Sequence, residues 1–355
     1  MKILLVGDFS GFHLALSEGL KELGHQVMLV SSGDGWKNID SDLSINSRST
    51  SVLVNKLERN LKPFLNLNKM SGYDIVQFVN VKPLSCSLFT NYILAKFLKK
   101  INGKLVLSAC GSDSYYWTSG REHLEYSPHK DVLKYDEGNG YWLDKRAIDI
   151  NNKMVSLSDG IIPVMFEYEH AYRNEKKLLP VIPLPVNLTR IKYLPNVARE
   201  KIKFYHGINR IGFKGTKYIE QAFKRLGLDY SDRASFNIKG RMPYNEYLNY
   251  IKSVNVIVDQ TSSYSCGMNG LLSMASGKVV FSGAEKESLK SLGISESPIV
   301  NIRPCEEYIY SITSDFINSN PNIEERGYQS RDFVEKNHSH IDIAEKYVRQ
   351  WLGLL

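Results

Sequence analysis

The sequence predicts two α/β domains, each a doubly wound parallel sheet, and three observations carry that reading. Short runs of buried-strand type alternate with helical or polar segments along the first half of the chain. A proline-marked passage, "LLPVIPLPVNLTRIKYLPNVARE", interrupts this rhythm, and the same alternation begins again after it. At 355 residues the chain also exceeds what one hydrophobic core usually fills.

The first domain is expected over residues 1–185. It opens with "KILLV" as a strand, a glycine loop, and a helix whose Phe12, Leu16, Leu20 and Leu23 form one stripe, stopped by Gly24. "HQVMLVSS", "DIVQFVN", "KLVLSAC" and "DGIIPVM" read as its later strands. A linker over 186–200 leads to a second domain over 201–340. There "KIKFYHGIN" is a strand and "TKYIEQAFKRLG" an amphipathic helix, with Thr216 placed to cap it and Gly227 to end it. "SFNIKG", "VNVIVDQ", "KVVFSG" and "SPIVNI" follow as strands, "HIDIAEKYVRQWLGLL" closes the chain as an amphipathic helix, and residues 341–355 are set apart as the closing segment. Two such domains facing each other leave a cleft between the C-terminal edges of their strands, where ligands bind.

Composition narrows the class. No apolar run reaches 18 residues, and the N-terminus lacks the sustained apolar stretch of a signal peptide, so a cytoplasmic protein is expected. The four cysteines are scattered without CxxC spacing, which indicates neither a disulfide framework nor a zinc site. The net charge of +7 is uneven: residues 51–104 hold nine Lys or Arg against two Asp or Glu. Such a face suits an anionic membrane surface or a solvated pair of helices. Nucleic acid is not expected, because the basic stretches contain no recognition helix, zinc finger or RNP-like strand.

Four segments could carry chemistry. "GDFSGFH" joins the first strand to the first helix, and Gly11 would let a ligand approach the backbone. It lacks the GxGxxG spacing, and the second strand ends in serines, which argues against a dinucleotide-dependent dehydrogenase. "HGINRIGFKGTKYIEQAF" puts Arg210 and Lys214 between a strand and a helix N-terminus, a setting that suits a diphosphate. "SYSCGMNGLLSMASGKVVFSG" carries one charge, Lys278; its helix is expected to be covered on every side, Leu272 included. Gly267, Met268, Asn269 and Gly270 would turn backbone amides toward an anion. In "SACGSDSYYW", Asp113 follows a strand and either orients or deprotonates an acceptor hydroxyl or caps the next segment. The triplet Asp40, Ser41, Asp42 sits in a polar loop without an adjoining strand and is not read as a metal site.

With these segments in order, the second half resembles the donor-binding domain of family 4 retaining glycosyltransferases with the GT-B fold, two Rossmann-like domains about a central cleft. The resemblance rests on Arg210 with "FKGTKYIEQAF", on "KGRMPYNEYLNYIKSVNVIVDQ", on "GMNGLLSMASGKVVFSG" and on "RDFVEKNHSHIDIAEKYVRQWL". In the first half only the opening segment and "ACGSDSYYW" match. It implies transfer of a sugar from a nucleoside-diphosphate sugar to an acceptor hydroxyl, with retention and without an essential metal or a cofactor beyond the donor. Arg210 and Lys214 match the diphosphate-binding pair, Gly11 the first-domain glycine loop, and Met242 the segment beside the nucleobase. The closing helix would cross back to the first domain. A glycan or lipid-linked acceptor is implied, as in bacterial surface-polysaccharide synthesis, with peripheral association at the inner face of the membrane.

The chain departs from the family at three places. Tyr264 and Leu272 stand where two glutamates usually read the donor sugar and the ribose, and Cys110 stands where a histidine is common. Two alternatives therefore stay open: a non-catalytic nucleotide-sugar-binding paralogue that partners another transferase, and a sugar-nucleotide epimerase of the same fold.

Overall fold

The predicted strands assemble into two parallel sheets. The structure, a computed structural model, describes the chain except residues 36–38, 48, 133–139, 209–210 and 241–249 and the side chain of residue 211. In the first sheet β1 (Lys2–Val6), β2 (Gln26–Ser31), β3 (Leu43–Ser44), β4 (Ile75–Phe78), β5 (Lys104–Ala109) and β6 (Gly160–Pro163) lie in the order β3-β2-β1-β4-β5-β6. In the second, β7 (Ile202–Ile208), β8 (Ala234–Gly240), β9 (Val256–Val258), β10 (Val279–Ser282) and β11 (Val300–Asn301) lie in the order β11-β10-β9-β7-β8. Every pairing is parallel. Ile3 to Val6, β4 and β10 are fully buried, as strands covered by helices on both faces must be.

Strand order fixes where a ligand can enter. In each sheet the chain winds outward on one side and then returns to wind the other way. The reversal falls between β1 and β4 in the first sheet and between β7 and β9 in the second. The loops beyond the C-terminal ends of these neighbours diverge and leave a crevice.

Residues Met1–Thr118, Gly140–Asn187 and His340–Leu355 pack as one unit, and Ser119–Asn139 with Leu188–Ser339 as the other. This differs from the expected boundaries at one place. Residues 119–139 were expected within 1–185, yet Tyr126 stacks on Tyr264 at 4.5 Å and Asp131 pairs with Lys217 at 2.8 Å, which anchors them in the second unit. The change of unit between Asn187 and Leu188 falls within the expected linker 186–200. Asn187 Nδ2 donates to Glu18 in the first unit at 2.6 Å, while Asn196 Nδ2 is buried against the Asn255 carbonyl of the second at 2.9 Å.

The first core gathers around the closing helix His340–Leu352, whose Ile343, Ala344, Tyr347 and Trp351 are all buried. Trp351 Nε1 donates to Gln77 Oε1 on β4 at 3.0 Å. This helix approaches helix Phe12–Glu22 so closely that a Cβ at Gly19 would fall 2.2 Å from the His340 carbonyl oxygen. The second core centres on Phe204, with Phe281 and Phe316 edge-on to it and Phe236 stacked at 4.9 Å. Helix Thr216–Asp229 lays Ile219, Ala222, Phe223 and Leu226 against this cluster. Its ends differ from expectation. Gly215, in the left-handed region at φ 68°, is the N-cap; the Thr216 hydroxyl instead reaches His206, and Gly227 lies inside the last turn.

Candidate functional site

The β7/β9 reversal point of the second sheet brings together Lys214, Gly267, Met268, Asn269 and Gly270. Asp259 follows β9 directly, and Lys214 lies in the short helix Ile211–Lys214 beyond β7. Lys214 Nζ donates to Asp259 Oδ1 at 2.9 Å, and Asn269 Nδ2 donates to the same oxygen at 2.8 Å. The lysine side chain is 10% exposed and the aspartate 2%. A buried ammonium needs a counter-charge, so the cation expected to stand open toward a ligand is held by a carboxylate.

Around this pair the loops are pressed together. A Cβ at Gly215 would meet Thr261 Oγ1 at 2.1 Å, and the Thr261 amide donates to the Lys214 carbonyl at 3.1 Å. The hydroxyls of Thr261 and Ser262 are buried and have no hydrogen-bond partner among the described residues. His206, on β7, is buried with Nδ1 2.7 Å from the Val258 carbonyl and Nε2 2.9 Å from the Thr216 hydroxyl. Because a carbonyl only accepts, Nδ1 carries the proton and Nε2 accepts. Burial, and next the Lys214 ammonium, lower the His206 pKa to about 4, so the ring is neutral.

Helix Met268–Ala275 starts at the same place. Gly267 is its N-cap, in extended backbone at φ −87°, and no side chain caps the helix. Nothing in the fold demands glycine there, since an added Cβ would come no nearer than 3.5 Å to Gln260. Gly270 is different: its Cβ would sit 2.3 Å from Cys266 Sγ. Met268 is buried and Asn269 half-buried. The helix is not covered on every side as expected, for Leu272 is 39% exposed. Lys278, the one charge of the segment, is buried and donates to the Val254 carbonyl at 2.8 Å, with burial lowering its pKa to about 8.

Tyr264 is buried and belongs to a separate network. Its carbonyl accepts from the Glu285 amide, and its ring stacks on Tyr126. The Glu285 carboxylate accepts from Tyr126 Oη at 2.7 Å, Asn301 Nδ2 at 2.8 Å and both Arg303 Nε and an Arg303 terminal nitrogen at 2.7 Å. These bonds, opposing burial, hold the Glu285 pKa below its usual value.

In the first unit, Gly11 is the N-cap of helix Phe12–Glu22 at φ 83°, and its Cβ position is open. Buried Asp8 already occupies that helix terminus, accepting from the Gly11 amide at 2.7 Å and the Leu14 amide at 2.7 Å. Asp113 makes the contacts of a helix cap. Its carboxylate accepts from the Tyr116 amide at 2.8 Å, capping helix Ser114–Glu122, and from Tyr172 Oη at 2.7 Å. Burial raises its pKa to about 6 against these bonds. Cys110 is buried, and burial first, then the Asp8 carboxylate, pushes its thiol up. Asp42 pairs with Lys21 at 3.1 Å. Arg210 and Met242 lie outside the described residues.

Sequence reasoning thus named Lys214, Gly267, Met268, Asn269 and Gly270, which the fold brings together, and missed Asp259, which joins Lys214 to Asn269. The signal was an acidic residue closing the apolar run "VNVIVDQ". Thr261 and Ser262 were also missed.

No family model matches the sequence, and no curated protein matches it. Solved structures do match. The sucrose-phosphate synthase of Thermosynechococcus elongatus superimposes with a TM-score of 0.62 at 15% identity, covering 100% of this chain and 99% of that one. HepE of Anabaena, solved in complex with UDP-glucose, gives 0.61 at 13% identity with 100% of both chains covered. The fold is GT-B. A UDP-GlcNAc 2-epimerase from Neisseria meningitidis bound to UDP-GlcNAc also superimposes, at a TM-score of 0.55 and 10% identity over 99% of this chain and 100% of that one. Within the GT-B chain the Lys214–Asp259–Asn269 cluster lies in the second sheet's crevice, and the Asp8-capped turn in the first sheet's.

Proposed function

We propose that the chain is a retaining, family 4-like glycosyltransferase that moves a sugar from a nucleoside-diphosphate sugar to a hydroxyl of a glycan or lipid-linked acceptor. The observation that carries the reading is the Lys214–Asp259–Asn269 cluster beside the uncapped N-terminus of helix Met268–Ala275, at the strand reversal of the second sheet. A diphosphate entering there competes with Asp259 for the Lys214 ammonium and gains the amides of the helix N-terminus, and the orphan hydroxyls of Thr261 and Ser262 gain a polar partner. The same groups stabilise the leaving diphosphate as its charge develops, so no metal is needed. The complexes of HepE with UDP-glucose and the name of sucrose-phosphate synthase support sugar-nucleotide transfer chemistry. Arg210 would add a second cation and Met242 would line the nucleobase.

The acceptor side belongs to the first unit, around Gly11. Asp113 serves there as a helix cap, and the reading assigns no proton transfer to it. Surface-polysaccharide or glycolipid synthesis at the inner face of the membrane fits the basic run 51–104.

Incubation of radiolabelled UDP-sugars with the protein and a membrane glycolipid extract tests this. Label should move into the lipid fraction, with EDTA leaving the rate unchanged. Two observations keep other readings in view. The UDP-GlcNAc 2-epimerase likeness favours an epimerase, which would convert the donor without acceptor. Tyr264 and exposed Leu272 in place of the expected glutamates favour a binding paralogue, which would bind UDP-sugar and leave it intact.

A further inference from the structure

The first unit holds a cavity of about 470 Å³ that the donor chemistry does not use. Small-molecule sites run from about 300 to 1,000 Å³. Helix Val52–Leu65 forms one wall with Lys56, Arg59 and Asn60, and the loop after β4 forms the other with Ser85, Cys86 and Ser87. Both walls are fixed. Asn60 Oδ1 accepts from the Ser87 amide at 3.2 Å and from the Thr90 hydroxyl, which ties the helix to the loop. Asn91, fully buried, accepts from the Leu84 amide at 3.2 Å and donates to the Leu84 carbonyl at 3.2 Å and the Ser87 carbonyl at 3.0 Å. The Ser85 amide donates to Ser32 Oγ, just beyond β2, at 3.1 Å. The cavity is therefore preformed at the C-terminal edge of the first sheet.

Its charge identifies what it takes. Lys56 and Arg59 lie one turn apart on one helix face, and neither forms an ion pair among the described residues. Glu58, between them in sequence, accepts from Ser47 Oγ at 2.6 Å instead of lining the cavity. Among the described residues no carboxylate lines it, and burial raises the Cys86 thiol pKa to about 11, so that side is uncharged. Apart from Val52 and Cys86 every lining residue is polar or cationic, which argues against an apolar ligand. Two unneutralised cations match a dianion. A phosphate monoester carries about −1.5 to −2 charges at pH 7 and presents three oxygens to a guanidinium fork, an ammonium and the loop hydroxyls, whereas a carboxylate neutralises one cation. The same loop leads to the crevice between β1 and β4. Pro83 packs on the Gly7 turn, where an added Cβ would fall 2.6 Å from it. Cys86 is three residues further, so cavity and crevice are at most roughly 11 Å apart along the loop, and one small molecule can reach both. We propose that the cavity is a phosphate subsite of the acceptor site and that the acceptor is a phosphorylated sugar. That the phosphate belongs to an acceptor rests on the transferase reading above; that the cavity takes a phosphate monoester does not.

Titration calorimetry of the full chain with inorganic phosphate, glucose 6-phosphate, glucose 1-phosphate, glucuronate and glucose tests the subsite. The phosphates should bind, and glucuronate and glucose should not. Lys56→Gln with Arg59→Gln should weaken phosphate binding at least about tenfold at an unchanged melting temperature, both side chains being exposed. Binding should persist in the Lys214→Met, Asp259→Asn variant, which separates the cavity from the donor crevice. A preference for glucose 6-phosphate supports a sugar phosphate with a free anomeric centre, and a preference for glucose 1-phosphate a glycosyl phosphate. Failure of all three phosphates to bind, binding that survives in the Lys56, Arg59 double variant, or glucuronate bound as tightly as the phosphates overturns the proposal. Sugar transfer measured in parallel tests the acceptor role. Transfer to the bound sugar phosphate but not to glucose is expected; a chain that transfers to other acceptors and never to the bound phosphate overturns the acceptor assignment. A chain that binds phosphate in the cavity and transfers to no acceptor faults the transferase reading and upholds the subsite.

Discussion

Lys214 Nζ sits 2.9 Å from Asp259 Oδ1 with both side chains largely withdrawn from water. Each group therefore offsets the other's buried charge, and removing one has a different consequence from removing both.

Lys214→Met leaves Asp259 as an uncompensated buried carboxylate and should lower stability by about 3–5 kcal/mol. Lys214→Met combined with Asp259→Asn removes both charges and should recover most of that loss. Urea unfolding of the single and double variants checks this. Equal stability of the two would show that the pair is not coupled.

Gly267→Val and Gly270→Val should separate binding from folding. At position 267 the space is open and the backbone extended, so the valine variant should keep its stability within about 0.5 kcal/mol and lose UDP binding. At position 270 the new Cβ meets Cys266 Sγ at 2.3 Å, so that variant should be destabilised as well. Titration calorimetry with UDP, together with melting curves, distinguishes them. Unimpaired UDP binding by Gly267→Val would show that the helix N-terminus does not hold the ligand.

Leu272 is 39% exposed where the resemblance expects a ribose-reading glutamate. Leucine accepts no hydrogen bond, so 2′-deoxy-UDP should bind within about tenfold of UDP, whereas a site built for that hydroxyl discriminates far more strongly. Competition binding measures the ratio. Leu272→Ala, at an exposed position, should cost under about 1 kcal/mol.

Acid should destabilise the fold through its buried histidines. The His206 pKa is lowered to about 4 and that of His13 to about 3, each by burial. The unfolded chain takes up these protons near pH 6.5 while the folded chain does not, so stability falls as pH drops through 6.5, by roughly 3 kcal/mol for His206 at pH 4. Asp113 acts in the opposite sense. Its pKa is raised to about 6, so the folded form binds its proton first and gains stability as pH falls from 6 toward 4. Asp113→Asn should therefore steepen the acid limb of a stability–pH profile, and His206→Asn should flatten it.

The two sheets were legible because fully buried parallel strands need continuous apolar runs, and "KILLV", "DIVQFV" and "KVVFSG" are such runs. The cluster of Lys214 with Asn269 and the glycine turn was legible as a strand–loop–helix pattern. Asp259 was not, because its partner lies 45 positions away and only the β7–β9 pairing brings them together. Residues 119–139 misled for a similar reason: Tyr126 and Asp131 find partners in the second unit through contacts that no local pattern encodes.

The central claim is that the second sheet's crevice binds a nucleoside diphosphate through its phosphates, and thermal shift with UDP against uridine at equal concentration tests it most directly. A ligand stabilises the fold according to its affinity. UDP should raise the melting temperature and uridine should leave it nearly unchanged, and the UDP shift should vanish in the Lys214→Met, Asp259→Asn double variant. A uridine shift as large as that of UDP, or a UDP shift that survives in the double variant, would contradict the account.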